Sequence, residues 1–445
     1  MKGSICALAV LGVMSCGGDD APAGDGAGGT GTGGSEAGAS SGGSSGLGGS
    51  GGDAGGGPES SGGGGAGSAL PTAFTLTVSV NGEGRVTSTP AGIECGSTCE
   101  ATFPPGTQVV LDVKEEGGVL SGWSGACSGS SACSLSLDAD VDVAAIFEPL
   151  EVGPNAHGIA VTPDGTRALV TLGDEAGKLQ VISLSDGSIV DSIDVGSFPG
   201  AVAVAPDGSR AVVNNRNTVS IVTLSTRAVQ GVPSPCAGDT LYDIALTTDG
   251  ARAVTTMFNG SCVTNTLTVI TLDDGAIENQ YPITGSLAAG VAVVGDGSSV
   301  LVSRGIVGTQ IDRVALSGGQ VTNITDTSSS FGIALTPNGA EALIASGDGD
   351  TIKRLSLATN AVTGSIDYAS NQDPHNIAIS PDGALAVVAG SFDVGVLSLA
   401  SGEVLWTFSG GGRSVAITPD GQRALVTRGS TVRVYSLPPI SAEAP

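Results

Sequence analysis

The 445 residues contain only two histidines, His157 and His375. Each opens the same local pattern, His157-Gly158-Ile159-Ala160-Val161 and His375-Asn376-Ile377-Ala378-Ile379. An imidazole offers acid–base chemistry near neutral pH or a nitrogen to a metal, but two rings in equivalent settings also read as residues that lead a strand. Gly347-Asp348-Gly349-Asp350 puts two carboxylates on a glycine loop, oxygen chemistry suited to Ca²⁺. No further ligands accompany the pair, so it reads as an acidic turn, and neither a metal nor a cofactor is expected. Cys95, Cys99, Cys127 and Cys133 are spaced C-x3-C and C-x5-C with no histidine beside them. Zinc sites favour C-x2-C pairs near other ligands, so these cysteines read as disulfides. Three connectivities are open, of which the local pairs Cys95–Cys99 and Cys127–Cys133 are the expectation. Cys236 and Cys262 are expected to form a further disulfide. Gly42-Gly43-Ser44-Ser45-Gly46 matches the G-x-S-x-G pattern of a nucleophile elbow, but in a Gly/Ser tract the match arises by chance, with no flanking strand or helix. No catalytic residue is assigned.

The elements that would position these side chains form a repeat. The turn Pro163-Asp164-Gly165 returns as Asp207-Gly208, Asp249-Gly250, Asp296-Gly297, Asn338-Gly339, Asp382-Gly383 and Asp420-Gly421, at steps of 38 to 47 residues. Four residues before each marker stands an alanine: Ala160, Ala203, Ala245, Ala292, Ala334, Ala378 and Ala416. A β-branched residue precedes every one of them. Large aliphatics on one strand face with Ala on the other suit a sheet packed closely on both sides, and Asp-Gly supplies the tight turn with positive φ at Gly. A second strand follows at Arg167–Thr171, a third at Leu179–Leu184 and an outer fourth from Ile189 to Val195. Four strands in about 42 residues is the period of a β-propeller. The fold expectation is therefore all-β, with a seven-bladed β-propeller over 150–438. The last repeat supplies three strands, so Leu150 to Val152 is expected to close the ring and remove an exposed edge. One face of such a ring gathers His157, Arg216, Arg304, Asp348, Asp350, His375, Asp393 and Arg428, the candidate ligand face. Both loops carrying Cys236 and Cys262 fall on it too. Arg167, Arg210, Arg252 and Arg423 keep a constant offset from their turns and fall on the opposite face.

Ahead of the repeats, residues 1–15 read as an export signal, with Lys2 before an apolar run from Ile5 to Met14 that is too short to span a bilayer. Residues 16–69 read as a disordered Gly/Ser-rich tether, unable to bury enough apolar surface to order itself. Such a coil has a root-mean-square span of roughly 40 Å. Residues 70–149 read as a small disulfide-bearing β module. Thr75–Val80 alternates as a strand and is expected to form a hairpin with Arg85–Ser88 across Asn81-Gly82-Glu83-Gly84, and further strands are expected at Gln108–Val113 and Val141–Phe147. Trp123 reads as a core anchor. Residues 439–445 read as a disordered tail.

Three resemblances attach to these residues. Val13-Met14-Ser15-Cys16 resembles the lipobox of bacterial lipoproteins, which implies diacylglyceryl attachment at Cys16 and anchoring in the cell envelope. Gly17 in place of Asp after that cysteine resembles lipoproteins of the outer membrane. Gly84-x-Val86, Pro90-x-Gly92-Ile93-x-Cys95 and Gly122-Trp123-Ser124-Gly125-x-Cys127 resemble the divergent internalin-type B-repeat, over about 75 residues, which implies a non-catalytic extracellular spacer or adhesion module. Asn155-Ala156-His157-Gly158-Ile159-Ala160-Val161-Thr162-Pro163-Asp164-Gly165 resembles the repeat of YVTN-type seven-bladed propellers. The family's second-strand Tyr is Leu or Val here.

Composition narrows the function. A net charge of −26, from 17 basic against 43 acidic residues, gives no field for nucleic acid. It favours a protein or cation partner over anionic polymers. An aromatic content of 3 % leaves too few rings to sandwich a quinone cofactor. The expectation is a monomeric, lipid-anchored binding or scaffold protein. It meets the membrane through the lipid on Cys16 and displays a propeller to a protein or small-molecule ligand. The alternative is a lactonase or lyase of propeller type, possible with a divalent metal and resting on fold analogy.

Overall fold

The computed structural model describes residues 71–96, 98–234, 240–258, 265–283, 288–305, 310–325, 330–347, 350–368 and 373–438. Strands account for nearly all of the regular structure. From Ala156 onward they fall into seven successive antiparallel sheets, six of four strands in chain order and a seventh of three strands completed by an earlier one. The first comprises Ala156–Val161, Arg167–Leu172, Lys178–Ser183 and Ile189–Asp194.

The turn between the first two strands shows why its residues recur. Thr162 Oγ1 donates to Asp164 Oδ1 (2.6 Å), which also accepts from Thr166 N (3.0 Å). Gly165 takes φ 69°, a conformation glycine adopts without a Cβ clash. The same hydroxyl–carboxylate bond returns at Thr247–Asp249, Ser380–Asp382 and Thr418–Asp420. The preceding proline has a separate use. Pro163 lies beside Gly208 of the next sheet, and Pro206–Gly250, Pro337–Gly383, Pro381–Gly421 and Pro419–Gly165 repeat the contact.

The apolar cores lie between sheets, one at each of seven interfaces. Ile159 faces the seventh sheet while Ala160 faces the second. Val202 and Ala203, Ile244 and Ala245, Ile377 and Ala378, and Val415 and Ala416 divide in the same way. Six of the seven interfaces thus meet a large residue from one inner strand with an Ala from its neighbour. Each inner strand lies against the next, and Val415–Ile417 lies against Ala156–Val161, so the series closes on itself. The seventh sheet takes Leu150–Glu151 as its outer strand, pairing Val432 with Leu150 and Thr431 with Glu151. The described architecture is all-β and propeller-like.

Residues 74–148 form a sandwich of two four-stranded sheets around Leu76, Val78, Val86, Val109, Leu111, Trp123 and Phe147. Here the structure corrects the expected hairpin. Phe74–Asn81 pairs with Thr98–Phe103 and, in parallel, with Val141–Glu148, whereas Gly84–Thr89 belongs to the other sheet. The chain crosses between layers at Gly82–Gly84, and a Cβ on Gly84 would fall on the Phe147 ring. Both strands bury alternate residues toward one shared core, so alternation identified the strands and left their partners open. Cys95 lies at disulfide distance from Cys99, and Cys127 from Cys133, with Cα–Cα separations of 5.8 Å in each case. Cys16, Cys236 and Cys262 lie outside the described residues.

Sandwich and ring belong to one compact unit. Gly117 N donates to Val434 O (2.9 Å), Glu115 N donates to Ser436 Oγ (2.8 Å), and the Glu83 carboxylate pairs with Arg433. Leu150–Glu151 covers only the start of Thr431–Ser436, and the sandwich covers the rest of that edge.

Candidate binding face at the inner ends of the sheets

The residue three positions before each repeat alanine sits where the chain enters an inner strand. In ring order these are His157, Gly200, Tyr242, Ala289, Phe331, His375 and Arg413. None is acidic. Three consecutive sheets, the sixth, seventh and first, contribute His375, Arg413 and His157.

Backbone chemistry knits these three together. Thr427 Oγ1 donates to His157 O (2.6 Å), bonding the seventh sheet to the first, while Arg413 N donates to Thr427 O (2.9 Å). His375 Nε2 lies 2.7 Å from Gly412 O, and its Nδ1 lies 3.0 Å from Asp373 O. The Thr427 bond has counterparts around the ring. Thr171 donates to Gly200 O (2.5 Å), Asn214 to Asp243 O (2.7 Å), and Ser303 to Phe331 O.

His157 is half-buried, with protein around most of its ring. Desolvation first, then the Arg413 charge and His375, lower its pKa to about 4. The ring is therefore neutral at pH 7, able to donate or accept a hydrogen bond. The Arg413 side chain is exposed and has no hydrogen-bond or ion-pair partner among the described residues. Arg428, also exposed, lies over Gly410.

Other expected face residues divide. Arg216 is exposed and stacks 5.2 Å from the Phe198 ring centroid. Asp350 Oδ1 accepts from Asp373 N (3.1 Å), and Asp373 Oδ2 accepts from Ser391 Oγ (3.0 Å). Arg304 turns inward, 2 % exposed, into an ion pair with fully buried Asp312, which also accepts from Asn323. Asp393 is likewise buried and accepts from Tyr368 Oη (2.9 Å), with Gly395 leaving room for the Tyr368 ring. Arg304 and Asp393 are at the expected end of their strands but do not reach the face. Asp348 lies outside the described residues.

Asp243 was not among the expected face residues. Its Oδ1 accepts from Ile244 N and its Oδ2 from Val291 N of the next sheet, both at 2.9 Å. Burial outweighs these bonds and pushes its pKa up to about 6. Asn376 is its repeat equivalent and accepts from Val415 N (3.2 Å). At the opposite end of the sheets, hydrogen bonds within the turns hold Asp164, Asp207, Asp249, Asp296, Asp382 and Asp420 below the usual carboxylate range. Among the described residues no group of three or more His, Cys, Asp or Glu side chains could hold a metal ion. No described helix is long and apolar enough to cross a membrane.

The sequence matches no family model and no curated protein. The structure is similar to Kuenenia stuttgartiensis hydrazine synthase, with a TM-score of 0.57 and 17 % identity, over 64 % of this chain and 96 % of that one. At that identity the likeness carries the fold alone, a propeller-like all-β architecture.

Proposed function

We propose that this chain is an exported lipoprotein, anchored through Cys16 in the bacterial cell envelope, at the outer membrane or the cell surface. It displays a seven-bladed β-propeller as a non-catalytic binding module. The observation that carries this reading is the convergence of His157, His375 and Arg413 at one end of a closed series of sheets. Residues from strands far apart in sequence are brought together there on one frame, as a recognition surface requires. The Gly/Ser tether and the B-repeat-like sandwich serve display, and a Cys236–Cys262 disulfide braces the third sheet's loops on the same face.

Thermal unfolding with EDTA and then with a series of divalent cations tests the non-catalytic reading. A ligand of the native state raises stability by RT ln(1 + [L]/Kd), about 2.7 kcal/mol at a hundredfold excess over Kd. An unchanged midpoint is expected throughout. A clear rise with one metal would instead favour the metal-dependent lactonase or lyase. For the anchor, Cys16→Ser is expected to move the protein from the membrane fraction to the soluble one, and retention at the membrane would refute lipidation.

A further inference from the structure

The seven residues that lead the inner strands differ from the chain as a whole. The protein carries a net charge of −26, yet this register holds two histidines, an arginine, a tyrosine and a phenylalanine and no acid. Six turn aspartates, of the 26 acidic residues in 150–438, lie at the opposite end of the sheets. Exposed charges are screened over about 8 Å at physiological ionic strength, so the immediate surroundings set the potential at this end.

Those surroundings leave cationic groups without partners. Among the described residues neither the Arg413 nor the Arg428 guanidinium has an ion pair or hydrogen bond. Four of the carboxylates at this end hold hydrogen bonds of their own. Asp243 holds two backbone N–H groups, Asp174 accepts from Gly177 N (3.0 Å), Asp373 accepts from Ser391, and Asp350 accepts from Asp373 N. On the other inner strands, Tyr242 of the third sheet is 38 % exposed, and Phe331, which leads the strand next to that of His375, is partly exposed. The sixth, seventh and first sheets thus contribute basic residues to this end, and the third and fifth aromatic ones.

We infer that the inner end of the ring binds a small organic anion, its carboxylate or phosphate group received by Arg413 beside His157 and His375, its apolar body toward Tyr242 and Phe331. Arginine's planar fork suits either oxyanion, and charge-assisted hydrogen bonds are the stronger kind. The inference deepens the binding-module reading and rests on it.

Because the chain has only two histidines, their imidazole Cε1–H resonances report on this site alone. The experiment titrates the untagged protein with benzoate and, separately, phenyl phosphate at constant ionic strength, with benzyl alcohol and benzylamine as neutral and cationic counterparts. Saturable shifts of both resonances are expected with an anionic probe and not with the other two, and the preferred anion separates carboxylate from phosphate chemistry. Arg413→Gln is expected to weaken that binding about tenfold or more. Arg167→Gln, at the opposite end of the first sheet, is expected to leave it unchanged. Arg413 is exposed, and an unaltered circular dichroism spectrum confirms that its variant folds. Equal affinity in Arg413→Gln, or saturation by benzyl alcohol or benzylamine but neither anion, overturns the anion site while leaving a binding face. Silence toward all four probes overturns the anion site and removes this end of the ring from the binding-module reading.

Discussion

Replacing Asp243 by Asn changes how stability depends on pH, because two groups near the inner end of the ring act in opposite directions. Asp243 has its pKa pushed up to about 6, above the ordinary aspartate value near 3.9, so the folded state binds the proton more tightly. Its contribution is fully present below pH about 4 and is lost as pH rises through about 6. His157 has its pKa lowered to about 4, below the ordinary value near 6.5, so the unfolded state binds the proton more tightly. That contribution is present above about 6.5 and is lost as pH falls through about 4. At 1.36 kcal/mol per pKa unit, each amounts to about 3 kcal/mol. Between pH 4 and 6 the two nearly cancel in the native protein. Asp243→Asn removes one partner, and Asn376 shows that an amide at this position still accepts from the next inner strand. The variant is expected to gain about 3 kcal/mol relative to wild type between pH 4 and 6.5. His157→Gln is expected to lose a similar amount over the same range, and the double variant to parallel wild type. Urea unfolding followed by tryptophan fluorescence at half-unit pH steps measures the differences. The turn aspartates, whose stabilisation is lost at lower pH, are common to all four proteins and subtract out. Difference curves that stay flat from pH 4 to 6.5 would refute the reasoning.

Gly395→Ala drives a methyl group into the Tyr368 ring and separates Tyr368 from Asp393. Overpacking of this kind costs about 1–3 kcal/mol, to be read as a lowered thermal midpoint. Arg304→Met strands the carboxylate of fully buried Asp312 and is expected to cost about 3–5 kcal/mol. Adding Asp312→Leu is expected to restore part of that loss, and a double variant no more stable than Arg304→Met would refute the stranded carboxylate as its cause. Arg423→Ala removes a bond from the seventh sheet to Leu184 O of the first (3.2 Å). Increased hydrogen exchange concentrated at that interface is expected, and uniform protection would refute it.

The repeat made the sheets legible. Ala160 and five of its six equivalents face a neighbouring sheet's large residue, and that constraint marks the sequence at fixed offsets. The bound of the outer strand was also near, with Ile189–Asp194 observed against an expected end at Val195. What depends on pairing between layers was not legible. Phe74–Asn81 and Gly84–Thr89 alternate as hairpin strands would, but alternation reports one buried face and not which strand lies alongside. Arg304 and Asp393 illustrate the same limit for the site. Their positions at strand ends specified which end of the sheet they occupy, while Asp312 and Tyr368 decided that they turn inward. Arg413 and Tyr242 escaped notice because neither resembles the histidines in type. Extending the His157 register through all seven repeats would have found both.

The sandwich also gains a role that its own sequence did not suggest. A spacer module should leave the ring's stability unchanged when removed, but here the seventh sheet has a divided outer edge. Leu150–Glu151 pairs with Thr431 and Val432, and beyond them Gly117 bonds to Val434 O while Glu116 bridges to Tyr435. Two separate chain segments therefore do the work of one fourth strand. Without the sandwich, Arg433 loses the Glu83 carboxylate and the backbone of Val434 loses its donor. The seventh sheet then presents an unpaired edge, the feature that sheets elsewhere cover to avoid association. A chain beginning at Leu150 is expected to unfold at a lower temperature and to self-associate, whereas Glu83→Ala in the full chain retains the backbone bonds and is expected to be milder. Calorimetry together with light scattering distinguishes the cases. If the shortened chain matched the full one in both measurements, the sandwich would be a spacer after all, and Leu150–Glu151 would suffice to close the ring.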